Sequence, residues 1–131
     1  MRRILKFYLK KFSVVKAKKK RTVSKKYLKN KESARQLVKS RLEFFNQHYN
    51  FEYNRIAIRN QKGRWGSCSN RKNLNFNYKI VLLPKELADY IIVHELCHLK
   101  EFNHGQGFWN LVEEKIPNHE ELKKQLNKIR V

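Results

Sequence analysis

The chain has little of what punctuates or staples a fold. Its 131 residues hold two cysteines, two prolines, four glycines and one methionine. Cys68 and Cys97 do not make a disulfide framework, so a reduced, cytoplasmic setting is the simpler expectation. No apolar run approaches the length of a membrane span. Lysines break up every apolar run in residues 1–15, which argues against a secretory signal. No Gly-rich phosphate loop is present. Acidic residues are scarce as well, eleven against thirty-one Lys and Arg, for a formal charge of +20.

The charge is unevenly spread. Residues 1–41 carry seventeen Lys/Arg against one acid, Glu32, and so +16 of the total. An arm of this kind favours polyanions such as nucleic acid or an acidic membrane surface, although a charge run is also an ordinary solvated face. Phe7, Tyr8, Phe12 and Tyr27 are interleaved with the lysines and could stack on bases or enter a core. Residues 1–31 are therefore expected to form a basic N-terminal arm, and residues 32–131 one folded domain. Within the arm, residues 2–15 are ambiguous between helix and strand, and residues 16–31 read as flexible or extended.

From Glu32 the pattern sharpens. Ala34, Leu37, Val38, Leu42, Phe45 and Tyr49 recur at three- and four-residue steps, the stripe of an amphipathic helix whose outer face holds Lys39, Arg41 and Glu43. The period then changes to two. Arg55 to Arg59, Arg64 to Ser69 and Leu74 to Tyr78 read as short strands, with Gly66 marking a bulge or a close backbone approach. Ile80 to Leu83 is an apolar run at the end of this region. A small antiparallel sheet of three or so strands is expected. Pro84 suits the first turn of a helix running to about Lys100. Leu87, Ile91, Ile92, Val93, Leu96 and Leu99 make that helix apolar on more than one side, so it should be the buried centre. Further helices are expected from Gly107 to about Lys115, stopped by Pro117, and from about His119. The class is α+β.

The central helix carries His94-Glu95-Leu96-Cys97-His98. Residues four apart share one helix face, so His94 and His98 can aim two imidazoles at one cation. Glu95 sits one step round, where it can polarise a water on that cation; this is the logic of H-E-x-x-H, with the glutamate as general base. A chain of this composition contains the pattern by chance about once in seventy. Burying two imidazoles and a carboxylate in an apolar helix is costly without partners, and a metal ion supplies one. Zinc sites that catalyse use three protein ligands and a water. His104, six residues past His98, is the favoured third ligand, with Glu101, Glu113 and Glu114 as rivals. The His98–His104 spacing is that of the metzincins, but Glu101 stands where they have a turning glycine. Gly105 could end the helix and turn the chain. Two histidines and a carboxylate would also suit ferrous iron.

Arg64-Trp65-Gly66-Ser67-Cys68, Asn77, Leu82, Pro84, His94 to Leu99, Asn103-His104 and Phe108-Trp109 together resemble the YgjP-like metal-dependent hydrolases of the zincin type, and more distantly the SprT-like proteases. The likeness runs from about Ser33 to Pro117. It implies a zincin-like fold, one zinc ion held by His94, His98 and His104, and Glu95 as the catalytic carboxylate. It also implies a substrate-facing edge at Arg64, Trp65, Gly66, Ser67 and Cys68, with Arg64 or Asn77 as weak candidates for transition-state donors. Phe108, Trp109 and Val112 should pack against the metal helix. The implied activity is hydrolysis of a peptide or protein. Two alternatives keep the metal: a nucleoside triphosphate pyrophosphatase, and a protease brought to nucleic acid by the basic arm. A purely structural zinc is the non-catalytic alternative. This chain departs from the resemblance in lacking a β-rich region ahead of the helix and in having Gly105 after His104.

Overall fold

In the computed structural model, which describes residues 23–131, Ser24 opens the first helix, α1 (Lys25–Tyr49). Its hydroxyl accepts a hydrogen bond from the Tyr27 amide at 3.4 Å, satisfying one of the orphan donors of the first turn. The helix thus begins seven residues before Glu32, and residues 25–31 are helical rather than extended. Lysine is a good helix former, and Tyr27 anchors the added turns. Its hydroxyl donates to the Ile58 carbonyl at 3.3 Å, and its ring meets Tyr78 edge to face. The expectations for residues 2–15 and for the first part of 16–31 lie outside the described residues.

The stripe of α1 is as the spacing predicts: Ala34, Val38, Leu42, Phe45 and Tyr49 are buried. Arg41, expected on the outer face, instead turns toward the next layer. Its Nε and Nη2 donate to the two carboxylate oxygens of Asp89 at 2.8 and 3.0 Å, a bidentate bridge to the central helix. Asn50 ends α1 in the left-handed conformation (φ 55°), a role asparagine fills at low steric cost.

Three short strands follow: β1 (Arg55–Arg59), β2 (Gly66–Cys68) and β3 (Asn73–Asn77). The sheet is mixed, not antiparallel. Its order is β1–β3–β2, with β3 parallel to β1 (Arg55 opposite Asn73) and antiparallel to β2 (Gly66 opposite Phe76). Period-two alternation reports which face a residue occupies, not the direction of its neighbour. The β2–β3 hairpin turns through Lys72 at φ 63° and is tied by the Ser69 amide to the Asn73 carbonyl and by the Lys72 amide to the Ser69 carbonyl. The chain crosses from β1 to β2 over the end of β3, through Gly63 at φ 82°.

Asn77 holds that crossing. It is completely buried. Its side-chain NH2 donates to the carbonyls of Gln61 (2.7 Å) and Arg64 (3.0 Å), its oxygen accepts from the Lys79 amide, and its backbone amide donates to Trp65. Ile80 to Leu83 does not extend the sheet. Tyr78–Leu82 is a 3₁₀ turn that buries Tyr78 and Ile80 and leaves Leu82 exposed.

Helix α2 (Lys85–Cys97) follows Pro84 and buries ten of its thirteen residues, as expected of a central helix. It stops three residues short of Lys100. Turns from Leu99 to Leu96 and from Glu101 to Cys97 bend the chain away. Gly105 does not end α2; it precedes α3 (Gln106–Lys115) as its N-cap. Helix α4 (His119–Asn127) closes the chain against α2. One hydrophobic core joins all of these elements, with Phe76, Phe108, Leu42 and Leu74 its largest fully buried side chains. No helix among the described residues is long and apolar enough to cross a membrane.

Candidate active site

The last turn of α2 and the loop after it bring three imidazoles together. His94 lies in the last turn of α2 and His98 one turn on, as the residue that caps the helix, and the bend that follows returns His104 to the same point. The three Nε2 atoms form a triangle with edges of 3.2 Å (His94–His98), 3.0 Å (His98–His104) and 3.1 Å (His94–His104). Metal–nitrogen bonds of 2.0–2.1 Å at tetrahedral angles need donor edges of about 3.3 Å. The observed triangle is close to that face.

Second partners fix how the rings present themselves. His98 Nδ1 lies 2.9 Å from the Glu101 carbonyl, which can only accept. Nδ1 therefore carries the proton and Nε2 presents a lone pair to the centre of the triangle. Tyr90, buried one turn before His94, sets its hydroxyl 3.4 Å from His94 Nδ1. Burial pushes the Tyr90 hydroxyl up to about 12, so it stays protonated. Burial also lowers His94 to about 3, and it lowers His98 as well. Both rings are neutral at ordinary pH, the form that binds metal. Among the described residues, these three side chains form the group whose ligand atoms lie within 4.8 Å of one another. The chemistry of the donors and their spacing both fit a divalent cation of the zinc type.

The rival carboxylates sit elsewhere. Glu101 folds its side chain against Gly107, with Oε1 3.2 Å from where a β-carbon on that glycine would lie. Glu114 meets His48 on the surface at 3.1 Å. Glu113 lines a separate cleft with Gln106, His119 and Glu120.

Glu95 is only 6% exposed and lies against β2. Burial pushes its carboxyl up to about 8, while the Arg64 guanidinium pulls the other way. Gly66 makes room for it. A β-carbon there would stand 2.9 Å from Glu95 Cγ, 3.0 Å from Glu95 Oε2 and 3.0 Å from the Asn75 carbonyl oxygen. The sequence marked Gly66 as a place of close approach, and the group that approaches is Glu95. Gly66→Ala is expected to displace that carboxylate and lower kcat/KM about a hundredfold, with a stability loss of about 1–3 kcal/mol from overpacking. Peptide-cleavage kinetics and denaturant titration check the two parts. Unchanged kinetics would mean that the position of Glu95 is not set by Gly66.

Of the strand residues expected at a substrate edge, Arg64, Gly66, Ser67 and Cys68 line one cleft with His94, Glu95, His98, Phe102 and His104, a space of about 340 Å³. Trp65 lines the adjoining space with Tyr90, His94, Glu95 and Lys123. Among the described residues β2 is an edge strand, with no strand paired on the side away from β3. Asn77 does not line either cleft; its amide is engaged in the β1–β2 crossing. The two cysteines are free. Cys97, on the metal helix, is fully buried, and burial pushes its thiol up to about 12. Cys68 faces the cleft with its thiol pushed up to about 11 by burial and by the Glu95 charge, so it is a poor nucleophile.

Aromatic packing under the triad is denser than the sequence suggested. Phe108, from the first turn of α3, stacks on His98 (centroids 4.4 Å, 27°) and meets His94 and His104 edge-on at 4.9 and 5.0 Å. It touches all three rings. Trp109 lies beside His104 rather than in the core proper. The motif pairing Phe108 with Trp109 was the available signal; the contact with each imidazole was not readable from spacing.

The fold that carries this site is a metallopeptidase fold. Abylysin of Pyrococcus abyssi, solved as a metallopeptidase zymogen, matches with 25% identity and a TM-score of 0.62 over 68% of this chain and 90% of that one. The zymogen of jannalysin from Methanocaldococcus jannaschii matches with 30% identity and a TM-score of 0.57 over 72% of this chain and 94% of that one. No match was found among curated proteins. The model of the YgjP-like metallopeptidase domain matches residues 5–129. The chain belongs to the YgjP-like metallopeptidase family. The match takes in most of the basic arm and extends past Ser33 and Pro117, the limits the motif residues suggested. Membership makes the chain a metal-dependent hydrolase acting on peptides or proteins.

Proposed function

We propose that the chain is a zinc-dependent metallopeptidase in which His94, His98 and His104 hold one zinc ion and Glu95 is the general base. The observation that carries this is the triangle of three Nε2 atoms, 3.0–3.2 Å apart, beside a buried carboxylate at an edge strand. Three neutral imidazoles are a donor set that suits zinc. When bound, zinc supplies a Lewis acid that polarises a carbonyl and brings the pKa of a water to about 7.

The chain's own residues do the rest. An extended peptide adds to the edge of β2 away from β3 through backbone hydrogen bonds, with Arg64, Trp65, Ser67 and Cys68 along its path. This pairing sets a peptide carbonyl against the triad without demanding a particular side chain. Glu95 accepts the proton of the attacking water and returns it to the departing amine. Its buried position suits that exchange, because a carboxyl whose proton affinity is raised toward neutrality can both take and give a proton. Arg64, which lines the cleft with Glu95, is a cation placed to meet the negative charge that develops there.

Metal removal tests the reading. Chelation should abolish cleavage of a peptide library, and about one equivalent of zinc per chain should restore it. Metal-stripped protein that cleaves at the full rate would overturn the proposal.

A further inference from the structure

His104 is the exposed member of the triad, and it comes from a loop rather than a helix. An exposed loop histidine has several rotamers open to it, yet this one is held in a specific place. Trp109 stacks on it with an offset, ring centroids 5.9 Å apart and planes 28° apart. The Trp109 amide donates to the Gly105 carbonyl at 3.2 Å, closing the first turn of α3 and carrying the indole back under the residue that precedes Gly105. His119, the first residue of α4, stacks on the same indole at 5.1 Å and 17°. His119 is nine-tenths buried, and its Nδ1 has no hydrogen-bond partner among the described residues. Lys123, one turn along α4, sets its ammonium 5.1 Å from the indole centroid. The result is a continuous stack, His119–Trp109–His104, running from the last helix to the metal site.

Resting on the zinc reading above, we propose that Trp109 is a positioning residue for the third ligand: it holds His104 in the ligating rotamer, and His119 holds Trp109. Phe108 cannot do this alone. It meets His104 edge-on, at 84°, which leaves the imidazole free to swing about its own χ1 away from the triad. The offset stack on Trp109 blocks that swing. Ligand affinity falls in proportion to the fraction of molecules in the competent conformation, and partners that orient a ligand contribute about ten- to a hundredfold to metal affinity.

The test compares the full-length chain with Trp109→Leu, Trp109→Phe and His119→Leu. Zinc affinity is measured by competition with a chromophoric chelator, and cobalt(II) is used as a spectroscopic probe. Circular dichroism of the metal-free proteins scores folding. Trp109→Leu should weaken zinc about tenfold or more and lower the intensity of the cobalt d–d band, as expected when one nitrogen ligand is only part-time. Trp109→Phe keeps an aromatic face and should stay within about threefold of wild type. His119→Leu leaves the face of Trp109 toward His104 intact and should weaken zinc about threefold. A Trp109 with a merely structural role would change melting temperature without changing affinity or spectrum. Folded Trp109→Leu with wild-type affinity overturns the inference, as does Trp109→Phe failing as badly as Trp109→Leu. If Trp109→Leu does not fold, unchanged affinity in His119→Leu together with a tenfold loss in Trp109→Phe overturns it. Wild-type protein that binds no zinc is a different failure, that of the zinc reading itself.

Discussion

Glu95→Gln is expected to hold zinc as the wild type does and to cleave peptides about a hundred- to ten-thousandfold more slowly, the range spanned by loss of a positioned proton-transfer group. The substitution is close to isosteric, and the side chain is 6% exposed against β2, so the amide occupies the same space. What it loses is the ability to take a proton from the attacking water. Folding should not suffer. In the metal-free protein the folded carboxyl, raised from 4.5 to about 8, binds a proton more tightly than the unfolded one. The folded state then binds more protons at this one group, so the contribution of Glu95 to stability falls as pH rises from about 4.5 to about 8, against the rise that the lowered His94 and His98 bring up to about 6.5. Glutamine has no such proton to gain, so the stability of the metal-free wild type should fall relative to the metal-free variant between pH 5 and pH 8. Zinc analysis, kcat/KM on a peptide library and denaturant titrations at pH 5 and pH 8 check the three statements. A zinc-loaded Glu95→Gln protein with full turnover would remove Glu95 from the mechanism.

Phe108→Ala should be the most damaging change outside the triad. Phe108 is completely buried and forms the floor under all three imidazoles. Truncating a fully buried phenylalanine costs about 3–5 kcal/mol through lost transfer energy and the cavity left behind. Here the cavity opens directly beneath the ligands, so zinc affinity should fall together with stability. Phe108→Leu refills most of the space and should lose less of both. Denaturant unfolding of metal-free protein separates the first effect, and chelator competition on folded protein the second. A Phe108→Ala variant within about 1 kcal/mol of wild type and with unchanged zinc affinity would contradict this role.

The parts of the site legible in the sequence were those fixed by short-range geometry. His94 and His98 share a helix face because four residues nearly complete a turn, and Glu95 follows from its place in that turn. Gly66 stood out because a glycine inside a strand pattern signals close approach. The stripe of α1 and the burial of α2 were equally readable from apolar spacing. Long-range facts were not. Nothing local says that β1 pairs parallel to β3 across an intervening strand, because alternation reads faces and not directions. Nothing local says that Arg41 leaves its helix for Asp89, forty-eight residues on. Asn77 looked like a polar group available to substrate, but the β1–β2 crossing it clamps exists only once the strand order is known.

The start of α1 was misplaced for a different reason. Lysines with few apolar neighbours resemble a solvated linker, and the turns they form depend on the Ser24 cap and on Tyr27 docking against Ile58 and Tyr78. Gly105 was read as the end of one helix and proved to be the start of the next. A glycine marks a change of direction in either case, and the sequence does not say which side the helix lies on. The stack of His104 on Trp109 required α4 to be folded against α2, which no window of the sequence contains.

The central claim is that three histidines from a helix and a following loop hold one zinc ion. Elemental analysis of purified wild-type protein and of His104→Ala tests it most directly. One zinc per chain in the wild type and far less in His104→Ala is the expected result. Equal zinc in both proteins, or little in either after zinc is offered during refolding, would contradict it.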